Sequence, residues 1–341
     1  MKVTMDDVAK KLGVSNATVS LALNNSPKIA RATREKVLAA AKELGYQTNP
    51  YISALMAARR QGRNPTQTPV IALITPTREE GEWKTNYHLQ RFIDGSSNTA
   101  ASLGIRTETF WIGEKNMTAR RMNDILCNRG IRGAIMLTHG VWGKKLDYAW
   151  QNIATVTYGV RQLEPDTDWV AADFYGNMEK TLGILRRHNL ERIGFVMDKP
   201  FPYTHHNRWL AAYLMEQQRV AVKPIKKIKP WLDPEPSFES FSKWFHASKP
   251  EAIICVRPPT VMGWLERMGL NVPEDIGVVT IGTAETGGEI SGIVENTRTS
   301  GKLAVEMLLE RIYHGEFGNY SEPHHVTVSG VWNRGKTLKY V

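Results

Sequence analysis

A short polar run, Ser15-Asn16-Ala17-Thr18, follows Gly13-Val14 and opens a segment in which Val19, Ala22 and Leu23 recur at helical spacing. Ser15 is a good N-cap, so the helix behind it starts with free N–H groups and short polar side chains. That end of a helix suits contact with phosphates and with base edges in a major groove. Just upstream, Val8, Ala9 and Leu12 fall on one face of an earlier helix. Gly13 supplies the positive φ that a sharp exit between the two helices needs. A third amphipathic helix is predicted from Thr33 to Leu44, with Val37, Leu38, Ala41 and Leu44 on one face and a stop at Gly45.

Charge gathers in the same place. Residues 1–63 hold eleven Lys or Arg against four Asp or Glu, a balance of +7 out of +10 for the whole chain. Such asymmetry is the footprint of phosphate contact, whereas a merely solubilising surface would not need it.

The segment resembles the N-terminus of the LacI/GalR family of bacterial transcription repressors. The match rests on Thr4, Asp7-Val8-Ala9, Gly13-Val14-Ser15, Thr18-Val19-Ser20, Asn24, Thr33-Arg34, Val37, Ala40, Leu44-Gly45-Tyr46, Asn49-Pro50 and Leu55, without a gap. It implies a helix-turn-helix head over 1–48 and a hinge helix and linker over 49–69. In that family the hinge helix folds only when two copies meet on the operator. The residue matching Leu55 then wedges between base pairs from the minor groove. Pro50 suits the first turn of such a helix, which is too short to be stable alone. The resemblance carries DNA contact to Thr4, Ser15, Asn16, Ala17, Thr18, Ser20 and Leu21. It extends this to Asn24, Thr33, Tyr46, Asn49, Ser53, Leu55 and Arg59. Two departures stand out. Ala30 occupies a position usually held by a capping Ser, a loss of about 1 kcal/mol. Leu21 cannot make a bidentate guanine contact, though it can pack on a thymine methyl, while Asn16 can pair with adenine.

Beyond a polar linker, 61–69, strand and helix patterns alternate. Strands are predicted at Val70–Ile74, Arg106–Ile112, Gly133–Leu137, Ala154–Tyr158, Ile193–Met197, Ala252–Val256 and Gly277–Ile281. Helices are predicted at Leu89–Leu103, Met117–Asn128, Asn177–Arg187, Arg208–Gln217 and Gly301–Tyr313. This alternation means parallel sheets flanked by helices. The family resemblance continues through Asp173 with Gly176, Arg192-Ile193-Gly194, Arg208, Val272-Pro273-Glu274-Asp275, and Gly301 with Ala304. It implies a two-lobed, periplasmic-binding-protein-like α/β core over 70–341, with a ligand cleft between the lobes. The expected first lobe is 70–158 plus 293–320, and the second 159–292 plus 321–341.

Ligands of open parallel sheets bind beyond the carboxyl ends of the strands. That places Thr75, Thr77, Tyr158, Arg208, Trp231, Arg257 and Thr283 near the implied cleft. Arg208 matches a family arginine that bonds the effector, with a structural salt bridge as its other reading. Trp231 reads equally as a ring that stacks on a ligand and as a packing residue. The family's Asn-Asp after the Ala252–Val256 strand is Arg257-Pro258 here, and its sugar-binding Asp is replaced at Thr283-Ala284. Arg208 with Arg257 points to an anionic effector, a sugar acid or sugar phosphate, as one reading; an unusual neutral sugar stacked on Trp231, or no ligand, is the other.

The remaining features point away from other classes. No GxGxxG follows the first strand, and no P-loop or nucleophile-elbow serine is present. His205-His206 and His324-His325 lack the spacing of a helical metal pair and read as surface residues. No cofactor or metal is expected. No apolar run is long enough to span a bilayer, and no secretory leader is visible. Cys127 and Cys255 are the only cysteines, which suits buried thiols in a reducing cytoplasm. A homodimer on double-stranded operator DNA is expected, controlled by a small molecule or, in the alternative, by a partner protein.

Overall fold

The computed structural model describes residues 5–23, 29–44, 69–77, 79–138, 151–159, 161, 166–197, 205–219, 225–283 and 288–339. The chain divides into two compact units, Met1–Gln67 and Thr68–Val341.

The first unit contains α1 (Met5–Leu12), α2 (Asn16–Leu23) and α3 (Arg31–Glu43). Gly13 sits at φ +63 and joins α1 to α2. The turn is closed by Gly13 N–H donating to the Lys10 carbonyl at 3.3 Å and Val14 N–H to that of Ala9 at 3.1 Å. Val8, Ala9, Val19, Ala22, Val37, Ala40 and Ala41 are buried together. These small side chains let short helices approach closely around a thin core. One expectation fails here: Leu38, placed on the apolar face of α3, is 49 % exposed. The buried face of α3 runs through Val37, Ala40 and Ala41, so the next position turns outward. The helix also starts before Thr33, at Arg31, with Ala30 as an N-cap that makes no side-chain capping bond.

The second unit holds two six-stranded sheets. In chain order the strands are β1 (Val70–Thr75), β2 (Arg106–Trp111), β3 (Gly133–Leu137), β4 (Ala154–Tyr158), β5 (Asp168–Ala172) and β6 (Ile193–Met197). They continue with β7 (Trp231–Leu232), β8 (Ala252–Cys255), β9 (Gly277–Thr283), β10 (Ser291–Val294), β11 (His325–Val328) and β12 (Val331–Asn333). The first sheet has the order β11-β5-β4-β3-β1-β2 and is parallel throughout. The second has the order β12-β10-β9-β8-β6-β7, and only the β10–β12 pair is antiparallel.

Among the described residues seven helices cover these sheets: α4 (Tyr87–Ser102), α5 (Ala119–Asn128), α6 (Phe174–Arg187), α7 (His205–Gln218), α8 (Phe238–Ser248), α9 (Pro258–Arg267) and α10 (Thr297–His314). The backbones of α4 and α10 touch. A Cβ on Gly95 would lie 2.2 Å from the Arg298 carbonyl oxygen, and one on Gly301 would lie 2.3 Å from that of Phe92. Only glycine fits either position.

The sheet order corrects the expected lobe boundaries. Asp168–Ala172 pairs with β4 in the register Val156↔Asp168, and His325–Val328 pairs with β5. Both strands therefore belong to the first lobe, while Ser291–Val294 pairs with β9 in the second. The physical reason lies at Asp168, a charged start to an otherwise apolar strand. Its carboxylate is 1 % exposed and accepts two bonds from Arg311 at 2.8 Å, from Nε and Nη2, plus the His324 N–H at 2.7 Å. That pairing lets a charged residue sit inside the sheet.

The chain passes between the sheets after β5, after β10 and after β11, and these crossings are tied to one another. Asp173 N–H donates to the Val328 carbonyl at 2.9 Å, Gly330 N–H to Asn177 Oδ1 at 2.8 Å, and Asn296 Nδ2 to the Ser329 carbonyl at 2.7 Å. Cys255 is buried, whereas Cys127 is only half-buried, and both are free thiols. Among the described residues no helix is long and apolar enough to cross a membrane.

Candidate nucleic-acid interface and ligand cleft

In the first unit the start of α2 is turned to solvent. Ser15 Oγ accepts the Thr18 N–H at 3.1 Å and meets Thr18 Oγ1 at 2.9 Å, the capping geometry expected of it. Ser15 and Asn16 are exposed, whereas Thr18, Leu21 and Thr33 are half-buried. The side chains of Ala17 and Ser20 lie outside the described residues, as do Thr4, Asn24, Tyr46, Asn49, Ser53, Leu55 and Arg59. The hinge helix and linker lie there too. Lys10, Lys36 and Lys42 are exposed, while Lys11 pairs with Glu43 at 2.6 Å and Arg31 with Glu35 at 3.0 Å. Exposed lysines and an exposed, Ser15-capped helix start occur together in this unit. This is the arrangement for holding phosphates and reading base edges.

In the second unit the predicted cleft residues meet different fates. Thr75 is fully buried and its hydroxyl donates to the Phe110 carbonyl at 3.2 Å. The Thr77 hydroxyl donates to the Glu79 carbonyl at 2.9 Å. Tyr158 is 3 % exposed and stacks on Phe92 with centroids 3.8 Å apart. Burial, then the charge of Glu295, push its hydroxyl well above the usual tyrosine range, against a bond to Thr297. Trp231 is 6 % exposed and meets Phe241 and Trp264 edge-on at 5.8 and 5.5 Å. Its ring is part of the second lobe's core, which answers the open question in favour of packing. Arg257 is exposed at the N-cap of α9. The Thr283 side chain lies outside the described residues, though β9 ends at that residue.

Arg208 does reach the junction of the lobes. Its guanidinium lies 4.7 Å from the ring centroid of Trp169, a residue of the first sheet. Trp169 Nε1 donates to the Gly159 carbonyl at 2.9 Å, which holds the indole in place. Burial, then the nearby Arg161 guanidinium, hold Arg208 below the ordinary arginine range, opposed by Asp173. Arginine remains charged through such a shift. Arg161 itself bonds Asp166 at 2.9 Å, and Asp166 meets His325 Nε2 at 3.4 Å. A cation that acts on Arg208 is thus Arg161.

The sequence reading missed Arg161, Trp169, His88 and Glu295. Arg161 stands two residues past Tyr158-Gly159 and was open to the same strand-end rule that found Tyr158. Trp169 and Glu295 belong to strands or strand ends that the apolar pattern did not mark. Among the described residues no three His, Cys, Asp or Glu side chains converge as metal ligands.

A helix-turn-helix unit joined to a core of two largely parallel sheets is the architecture of a DNA-binding transcription regulator. Comparison with known proteins points the same way. Residues 4–49 match the model of bacterial regulatory proteins of the lacI family, and 182–337 match a periplasmic binding protein-like domain. The chain is 22 % identical over 333 residues to the HTH-type transcriptional repressor PurR of Haemophilus influenzae (strain PittEE), covering 92 % of this chain and 93 % of that one. In fold it is similar to the lac repressor dimer bound to operator and the anti-inducer ONPF, with TM-score 0.58 and 19 % identity, covering 99 % of this chain and 100 % of the other. It is also similar to the transcriptional regulator CelR in its cellobiose complex, at TM-score 0.58 and 19 % identity, covering 98 % and 100 %. The head thus carries the lacI-family domain and the core a periplasmic binding protein-like domain. The relatives it matches over most of its length are transcriptional repressors.

Proposed function

We propose that this regulator is a cytoplasmic repressor of carbohydrate-related genes that binds a pseudo-palindromic operator as a homodimer. A small anionic effector, a sugar acid or sugar phosphate, sets its operator affinity from the crevice between the lobes. Residues 1–48 act as the DNA head, 49–69 as hinge and linker, and 70–341 as the sensor. The observation that carries the effector class is Arg208 lying over Trp169 with Arg161 beside it. A partly desolvated guanidinium that feels a second one favours a neighbouring anion. The solved CelR–cellobiose complex supports the small-molecule reading, because it shows this fold holding a sugar. An effector changes DNA affinity only through a preference for one lobe arrangement.

Thermal-shift screening of sugar acids, sugar phosphates and neutral sugars tests the class, followed by Arg208→Ala. Sugar acids or phosphates should stabilise the protein, and Arg208→Ala should remove that shift. Stabilisation by neutral sugars alone would overturn the anionic reading. On the DNA side, affinity for the operator should fall with salt at a log–log slope of about −5 or steeper. Asn16→Ala should alter base preference with little change in that slope.

A further inference from the structure

Glu295 lies at the point where both lobes and three strand ends meet. It directly follows β10, at a crossing between the sheets, and is 7 % exposed. One oxygen, Oε2, is 3.3 Å from Nδ1 of His88 in the first turn of α4. The other, Oε1, is 2.9 Å from where a Cβ on Gly282 would stand, and Trp209 of α7 flanks the same point at 3.4 Å. Its charge is felt by Tyr158 at the end of β4. Each of these neighbours sits at the carboxyl end of a parallel strand or in the first turns of a helix that follows one. Those ends border the ligand crevice in such sheets.

Gly282 immediately precedes Thr283, the position where the family resemblance places a ligand-binding aspartate. Thr283 carries no carboxylate, and Glu295 supplies one beside the same strand end, on the Gly282 side. We propose that Glu295 is the hydrogen-bond acceptor of the cleft, so that the effector pairs an anionic group with hydroxyl or ammonium donors. This inference rests on the effector reading above. The anionic group faces Arg208 and Arg161, and the donors face Glu295. A carboxylate offers about four lone-pair sites, so the approach of His88 to Oε2 leaves acceptor capacity for the ligand. Gly282 has no side chain to push Oε1 aside. Trp209 and Tyr158 bring aromatic rings to the same place, where a polyol ring or an ammonium group packs well.

The competing view makes Glu295 a tie between the lobes with no ligand contact. Calorimetric titration of the full-length chain separates the two. The probes are glucose 6-phosphate, glucosamine 6-phosphate and glucuronate, with inorganic sulfate and acetate as anions that lack donors. Wild-type protein should bind at least one donor-bearing probe more tightly than sulfate or acetate. Glu295→Gln should weaken that probe about tenfold, and Glu295→Ala about a hundredfold, because a charge-assisted bond is lost. His88→Ala should change it by less than about threefold. Equal losses in His88→Ala and Glu295→Ala would establish the tie and overturn the proposal. Unchanged affinity in Glu295→Gln with loss in Arg208→Ala would overturn this inference and leave the effector reading standing. Failure of every probe to bind would overturn both.

Discussion

The DNA head and the sensor core use polar residues in opposite ways. In the head, polar side chains point outward from a thin core of Val and Ala residues, and Ser15 and Asn16 stand in solvent at the helix start. In the core, charged groups are taken inside. Asp168 is 1 % exposed and Glu295 7 %, while Arg311 gives both oxygens of Asp168 a bond at 2.8 Å. The difference follows from what each region must read. Operator DNA is large and brings its own charge to the surface, so the head needs exposed donors on a small scaffold. A small molecule must be recognised by few groups, and those groups gain discrimination when water is excluded around them.

If this contrast is right, breaking an inward tie should cost far more than altering an outward one. Asp168→Asn leaves the buried Arg311 charge with only the exposed Glu316 as a carboxylate partner and should destabilise the core by about 3 kcal/mol. Urea unfolding followed by tryptophan fluorescence reads this cleanly, since all ten tryptophans lie beyond residue 67. A loss below about 1 kcal/mol would erase the contrast.

Changes in the head should be smaller and invisible to that fluorescence. Gly13→Ala forces a Cβ onto a residue at φ +63 and should cost about 1–2 kcal/mol. Ala30→Ser adds the side-chain cap that α3 lacks and should return about 1 kcal/mol. Helical circular dichroism of the full chain, with the tryptophan transition as an internal control, should place both effects in the head. A shift of the tryptophan midpoint by either variant would show that the regions are not energetically separate.

The smallest expected effect is acid sensitivity of the second lobe. Burial pushes Glu251 up, but the Arg192 and Glu191 N–H groups and the Arg192 and Lys226 charges outweigh it and hold Glu251 below the usual carboxylate range. A carboxylate lowered on folding stabilises above its unfolded pKa, about 4.3, and loses that contribution as pH falls through the folded value. Tryptophan-monitored stability should therefore drop on acidification below about pH 4.3. Glu251→Gln should lower stability at neutral pH and make the acid limb shallower. An identical acid limb in both proteins would remove Glu251 from the account.

Much of this was legible along the chain because its causes are local. Gly13, Ser15 and Ala30 act within a few residues of themselves, through a φ value, a capping bond and the lack of one. Strands such as Ala154–Tyr158 and Ile193–Met197 announced themselves as short strand patterns, and their ends pointed to Tyr158 and the region of Arg208. Other elements gave no such signal. Asp168 opens β5 with a charge, and Gly292 interrupts β10, where a Cβ would lie 2.1 Å from the Thr280 carbonyl oxygen. Without those two strands, neither Trp169 nor Glu295 could be placed.

By itself, then, the amino-acid sequence determined the family resemblance, the helix-turn-helix with its basic charge, and the alternation that makes parallel sheets. The order of strands within each sheet, the lobe to which β5 and β11 belong, and the packing of Trp231 were decided by tertiary structure. So were the meetings of Arg208 with Trp169 and of His88 with Glu295. The physical reason is range. A cap or a turn is fixed by hydrogen bonds within one helical turn, whereas a cleft is fixed by which distant strand ends the sheet order brings to one place.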